Sequence, residues 1–284
     1  MFSNHLREML GFDDPGEVFA CRGAFDDFKN EVLEGARYSR SQPSSDFLSS
    51  VCEVADASTR LISPGDSFSR ARIMSPRDVT KNLEVSSPRP GLIGKKDVRF
   101  QVRPFSSSEM VPVSKFAKSG RANAERISVL YAADCIHTAV LEVRAYKGAN
   151  ISIGEFVAAE EVRVVDFTHR RRLSTLSSAD IFSSEVDAEV WEKIGSAFSA
   201  PMHKHDSDIE YVPTQIIAEC IKSRGFDGLA YDSSVSDGVN YAFFDAAKFN
   251  CRKTAVVTVS GAQVSLIRAS GNLLDGMVER QDKI

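Results

Sequence analysis

Apolar residues recur at helical spacing early in the chain, where Phe25, Phe28, Val32 and Leu33 share one face. Residues 1–58 therefore read as a small helical segment, divided by the Ser/Pro break Arg40-Ser41-Gln42-Pro43-Ser44-Ser45. Beyond it the period shortens. The turn Ser63-Pro64-Gly65-Asp66 feeds a strand carrying Arg70 and Arg72, which alternation places on one side. Residues 74–96, with Ser86-Ser87-Pro88-Arg89-Pro90-Gly91 at their centre, predict a long irregular loop.

From residue 127 strands and helices follow each other. Ile127–Ala132 predicts a strand, and Ile136–Ala145 predicts a helix with Asp134 as N-cap. Ile136, Ala139, Val140 and Val143 form the apolar stripe of that helix, and Glu142 falls just off it, at the edge of a cleft. Val162–Phe167 alternates as a strand, and residues 185–198 around Trp191 read as a helix. The helix Thr214–Ser223 packs through Ile216, Ile217, Cys220 and Ile221 and ends at Gly225. Gly228–Tyr231 and Asn240–Phe244 predict strands flanking a Ser/Asp/Gly loop. A final hairpin pairs Ala255–Val259 with Val264–Ile267 across Ser260-Gly261.

Composition narrows the class. A chain of 284 residues, 43% hydrophobic, buries a core as one large domain or one domain with an appendage. A net charge of -4 argues against nucleic acid as a partner, since phosphate binding needs a basic face. No apolar run approaches the roughly 20 residues that span a bilayer, so no membrane partner is expected. The N-terminus lacks a basic region followed by an apolar one, so no secretion signal is expected either. Five scattered cysteines (21, 52, 135, 220 and 251) without a Cys-x-x-Cys pair read as reduced, and the location as cytoplasmic.

Chemistry concentrates around one stretch. Tyr131 ends the strand after Gly120-Arg121-Ala122-Asn123, and Glu142 sits on the next helix. Arg70 from an earlier strand and Ser233 from a later loop are candidates to meet them. A cation, a carboxylate, a hydroxyl and an aromatic ring in one cleft suit a ligand both anionic and aromatic, such as a dinucleotide. Arg70 presents a fork for a pyrophosphate, with Arg72 in reserve; the plainer reading is an edge-strand arginine paired with a surface carboxylate. For Glu142 the alternatives are stabilising a developing sugar cation or standing solvated on a helix. Tyr131 offers a ring face and a hydroxyl, or only a core rim. Ser233, or its neighbour Ser234, is a hydrogen-bond donor to ligand. Gln215, Asn240 and Asn123 are supporting groups or simply caps and turns.

Other motifs carry less. His203-Lys204-His205-Asp206-Ser207-Asp208 has metal-ligating letters at weak spacing, so no metal is expected. His169-Arg170-Arg171-Arg172 reads as a solvated turn, and Gly91-Leu92-Ile93-Gly94-Lys95-Lys96 lacks P-loop spacing. No Gly-x-Gly-x-x-Gly follows a strand, so a dinucleotide here would not be held in Rossmann fashion. No Gly-x-Ser-x-Gly elbow supports a serine nucleophile.

Taken in order, Phe68-Ser69-Arg70-Ala71-Arg72, Gly120-Arg121-Ala122-Asn123, Leu130-Tyr131, Thr138-Ala139 with Glu142, Thr214-Gln215, Gly225-Phe226-Asp227-Gly228, Tyr231-x-Ser233 and Asn240 resemble the RES domain family. The resemblance covers about residues 61–250. It departs where Arg126 and Ser128 replace the family's frequent Gly and Pro. It departs again after Arg70, where no bulky aromatic follows and Tyr131 is left as the ring. The resemblance implies an α+β fold, an ADP-ribosyltransferase-like split mixed β-sheet with flanking helices. That catalytic domain would span 59–284 and follow the helical segment 1–58. It implies an NAD phosphorylase or glycohydrolase that cleaves the nicotinamide–ribose bond, with NAD as substrate and no cofactor. Its implied setting is a bacterial toxin–antitoxin pair, with a cognate antitoxin and possible homo-oligomer as partners. In that reading Arg70 holds the pyrophosphate, Tyr131 packs a ring, Glu142 stabilises the cationic sugar and Ser233 fixes the substrate. The same cleft also suits transfer of ADP-ribose to a protein or small molecule, or a silent nucleotide- or partner-binding module.

Overall fold

The computed structural model describes residues 17–35, 37–86, 99–168, 182, 184–201 and 208–261. Two helices, α1 (Ala24–Glu34) and α2 (Gln42–Ala57), lie on either side of the Ser/Pro break. Ser41 caps α2 by accepting from the Ser44 N–H, with Pro43 in the first turn where its missing donor costs nothing. Strands β1 (Thr59–Ile62) and β2 (Ser67–Ile73) follow, joined by the predicted turn.

The stretch from 74 is more ordered than its composition suggests. Helix α3 (Pro76–Lys81) begins with a reciprocal capping box between Ser75 and Asp78, and β3 (Leu83–Ser86) pairs with β4 (Arg99–Val102). Six residues are too few for a visible hydrophobic period, but Ser-Pro-Arg-Asp is itself a helix-start signal. Residues 87–96, including the Gly91–Lys96 motif, lie outside the described residues.

The remaining elements are α4 (Ser107–Met110), β5 (Leu130–Ala133), α5 (Ile136–Glu142), β6 (Asn150–Ala158), β7 (Val162–Asp166) and α6 (Glu185–Ser199). After them come α7 (Val212–Ser223), β8 (Gly228–Asp232), β9 (Val239–Phe243) and β10 (Phe249–Thr258). Several expectations are corrected. The strand predicted from Ile127 starts at Leu130, because Arg126 turns the chain at φ 66° and Ile127 donates back to the Ala124 carbonyl. Glycine adopts that left-handed conformation more readily, and here an arginine occupies it. Helix α5 stops at Glu142 instead of Ala145, with Arg144 at φ 50°, and its N-cap is Cys135 rather than Asp134. Strand β6 escaped prediction because Gly154 and Glu155 interrupt its apolar run. It pairs along its length with both β2 and β10, so β10 belongs to the sheet rather than to a terminal hairpin. The hairpin's second half, Val264–Ile267, lies outside the described residues.

The result is α+β: one eight-stranded mixed sheet in the order β1-β7-β8-β9-β5-β2-β6-β10, flanked by helices. Among the described strands, only β7 and β8 run parallel. Against one face α1, α2, α6 and α7 bury Phe28, Val51, Trp191, Ile194, Ile217 and Ile221. On the other, Phe68, Phe105, Met110, Phe156, Phe243 and Phe249 form a second core. In the middle the sheet is nearly split. Neighbouring strands share four or more register pairs elsewhere, apart from three between β7 and β8, but β2 and β5 meet only at Ser69 and Ala133. Helix α5 covers this seam, where Ala139 rests on Ala71 and Ala133 beside Ile151 and Ile153. Small side chains on both strands let the helix come close. Among the described residues no helix is long and apolar enough to cross a membrane.

Candidate active site

The seam decides where the polar residues go. Past the single pair Ser69–Ala133 the register would set Arg70 against Ala132 and Ala71 against Tyr131, but the two strands separate there and Arg70 and Tyr131 line the gap. Arg70, Tyr131, Glu142, Asn240 and Tyr241 line one cavity of about 250 Å³. A larger one, about 680 Å³, shares Arg70, Tyr131 and Gly120 and extends past Arg72, Phe105 and Lys118. The two cavities adjoin, with Arg70, Gly120 and Tyr131 as their common wall.

Arg70 is the unusual member. Its Nη1 is buried and has no hydrogen-bond partner, and no carboxylate pairs with it among the described residues. Burial, reinforced by repulsion from Arg72 and opposed by Cys251, pulls its pKa down to about 10. The group is still cationic at neutral pH. Arg70 as a whole is half-buried, and a guanidinium nitrogen buried without a partner is costly unless an anion completes the site. Arg72, on the same side as alternation predicts, lies 4.5 Å from the centre of the Phe105 ring and donates to the Glu109 carbonyl. The ring near the arginines thus comes from Phe105 as well as Tyr131. No sequence signal linked Phe105 to the cleft, because Arg103-Pro104-Phe105 reads as an ordinary connection.

Glu142 ends α5 at the cleft mouth. Its Oε1 accepts from Ser233 Oγ at 2.6 Å and from Asn240 Nδ2 at 2.7 Å. Both donors come from the second half of the sheet and its loop, so Ser233 and Asn240 fix the carboxylate in place. Ser234, the other serine considered as donor, stays exposed on that loop. The loop is internally tied: the Ser233 N–H donates to the Gly238 carbonyl, and Ser236 Oγ donates to Thr138 Oγ1 on α5.

Tyr131 departs from expectation. Its hydroxyl donates to Asn123 Oδ1 at 2.7 Å and accepts the Ala122 N–H at 3.0 Å, so it is not open to a phosphate or ribose. Burial raises its pKa, and only the ring face remains for a ligand. Gly120 lies so close that a Cβ there would stand 2.7 Å from the phenol oxygen. Asn123 is a turn residue, donating to the Lys118 and Ala124 carbonyls. Gln215 on α7 donates to Ser119 Oγ and to the Gly120 and Asn123 carbonyls, bracing the same loop from behind.

The structure therefore brings Arg70, Arg72, Tyr131, Glu142 and Asn240 to two adjoining cavities, with Ser233 bonded to Glu142 and with Asn123 and Gln215 supporting the wall. No metal-ligand cluster of three His, Cys, Asp or Glu occurs among the described residues. The histidines of 203–207 and the basic run 169–172 lie outside them.

A family model described as RES domain matches residues 97–266. No curated protein matches the chain. Among solved structures, the chain is similar to one from "Crystal structure of the M.tuberculosis MbcT-MbcA toxin-antitoxin complex", at 12% identity and a TM-score of 0.38. That alignment covers 74% of this chain and 93% of the other.

Proposed function

Because the chain belongs to the RES domain family, a match spanning more than half its length, we propose that it is an NAD-degrading enzyme cleaving the nicotinamide–ribose bond. The observation that carries the reading is the half-buried Arg70, whose Nη1 is buried without a partner, on the same small cavity as a carboxylate clamped by two donors. An unpaired guanidinium suits a pyrophosphate, which it binds through two parallel hydrogen bonds. A fixed carboxylate suits a reaction that builds positive charge on a sugar, because it needs no reorganisation as the charge appears.

In this mechanism the bond between ribose C1′ and nicotinamide nitrogen breaks, and the electron pair leaves with neutral nicotinamide. Glu142 faces the resulting oxocarbenium ion, held still by Ser233 and Asn240. Water or inorganic phosphate then bonds to C1′ and gives up a proton. Arg70 retains the pyrophosphate throughout, Arg72 and Phe105 extend the binding surface, and the Tyr131 ring forms a wall. The setting we propose is cytoplasmic, as the toxin of a toxin–antitoxin pair whose antitoxin restrains this activity.

Purified protein incubated with NAD, with and without phosphate, tests the reaction. Free nicotinamide should accumulate, and phosphate dependence separates phosphorolysis from hydrolysis. Glu142→Gln keeps the shape and removes the charge, so turnover should fall about 10²–10³-fold, the usual effect of losing one electrostatic stabiliser. NAD left intact by the wild-type chain, or equal turnover by Glu142→Gln, would overturn the proposal.

A further inference from the structure

Two cysteines that play no part in the cleft sit against each other elsewhere. Cys52 is on α2 and Cys220 on α7, 168 residues apart in sequence, yet their sulfurs approach to 2.8 Å. Cys52 is 1% exposed and Cys220 half-buried, at the contact between the N-terminal helices and the helix that braces the site loop. Cys220 Sγ also lies 3.6 Å from the Leu48 carbonyl, which keeps it turned toward α2. The other three cysteines have no cysteine neighbour; Cys21 and Cys135 are exposed, and Cys251 lies on the edge strand β10.

We propose that Cys52 and Cys220 are a reversible redox pair, whose disulfide staples α2 to α7. The chemistry has a defined direction. A hydrogen bond from Cys220 favours the Cys52 thiolate, burial opposes it, and the charge of Arg224 adds to the lowering. With hydrogen peroxide as oxidant, the Cys52 thiolate attacks one peroxide oxygen, giving a sulfenic acid and hydroxide, which takes a proton to become water. Cys220 then attacks the sulfenic sulfur, losing its proton as the second water departs. Two thiols are oxidised, one peroxide is reduced, and a dithiol reductant reverses the change. The bond would fasten the N-terminal helices to the element whose Gln215 holds Gly120 and Asn123.

The test uses the full chain with Cys21, Cys135 and Cys251 replaced by serine, so that only the pair remains of the five cysteines. Peroxide should remove both free thiols, lower the intact mass by two hydrogens and yield a non-reduced peptide joining Cys52 to Cys220. The melting temperature should rise, and dithiothreitol should return mass and melting point to their starting values. In the same background Cys220→Ser should leave Cys52 without a partner, so peroxide should give no linked peptide, no loss of two hydrogens and no rise in melting temperature. Peroxide that adds oxygen to Cys52 without producing the linked peptide overturns the proposal. An equal thermal shift in the Cys220→Ser variant does the same.

Discussion

At Glu142 one carboxylate oxygen takes two hydrogen bonds, from Ser233 Oγ and Asn240 Nδ2. A hydrogen bond to a charged group contributes roughly 1.5–3 kcal/mol. Asn240→Ala should therefore leave a folded protein whose kcat on NAD is about tenfold to a hundredfold lower, with KM little changed. Asn240 is bonded to the carboxylate, so its expected part in the proposed reaction is to position Glu142. A KM effect equal to the kcat effect would instead mean that Asn240 contacts substrate. Tyr131 makes a second case at this scale. Tyr131→Phe strands the Ala122 N–H and Asn123 Oδ1, which should lower stability by about 1–3 kcal/mol, read as a lower urea midpoint. Because burial holds its pKa above the ordinary phenol value near 10, the folded chain keeps a proton that the unfolded chain releases. Stability should thus decline as pH rises past about 10, and less steeply in Tyr131→Phe. Of these residues the sequence disclosed the identities but not the relations. Ser233, Asn240 and Glu142 were each legible as polar groups near a strand or helix end. That two of them serve the third depends on β9 crossing behind α5, which no local pattern encodes.

The loop between β8 and β9 shows how an element is held to a site. Gly238 stands so near the start of α5 that an added Cβ would lie 2.0 Å from Thr138 Oγ1 and 2.7 Å from Asp134 Oδ1. Gly238→Ala must push the loop away from α5, and Ser233 moves with it through its backbone bond to the Gly238 carbonyl. The expected outcome is a folded chain with reduced turnover that Ser233→Ala worsens little, since both changes remove the same hydrogen bond. Additive losses in a double-mutant cycle would show the loop acts by another route. Helices with a wide apolar stripe were readable from sequence, among them α6 around Trp191 and α7 through Ile217 and Ile221. Short or two-sided elements were not. α3 is specified by its capping box and first-turn Pro76, and β6 is buried on both faces while Gly154 and Glu155 interrupt its pattern.

Across the whole molecule the seam is the organising feature. Arg70 belongs to the β2-β6-β10 part of the sheet, whereas Tyr131, Asn240 and Ser233 belong to the other five strands and their loops. One register pair and the alanine-lined underside of α5 are most of what joins them at the middle. A ligand that engages Arg70 on one side and Glu142 or the Tyr131 wall on the other therefore ties two parts of the sheet together, and binding should register as global stability. A ligand at a hundred times its Kd adds about 2.7 kcal/mol to a two-state protein. In the Glu142→Gln background, where turnover is suppressed, NAD should raise the melting temperature in proportion to the logarithm of its concentration. Adding Arg70→Ala should abolish that rise, because it removes the guanidinium whose buried Nη1 has no partner in the unliganded protein. Nicotinamide mononucleotide, which lacks the second phosphate and the adenosine, should give a smaller shift at equal concentration, because it leaves the Arg72–Phe105 end of the cleft empty. Equal shifts for the two ligands would assign the larger cavity no part in binding, and an undiminished shift in Arg70→Ala would remove the guanidinium from the anion site.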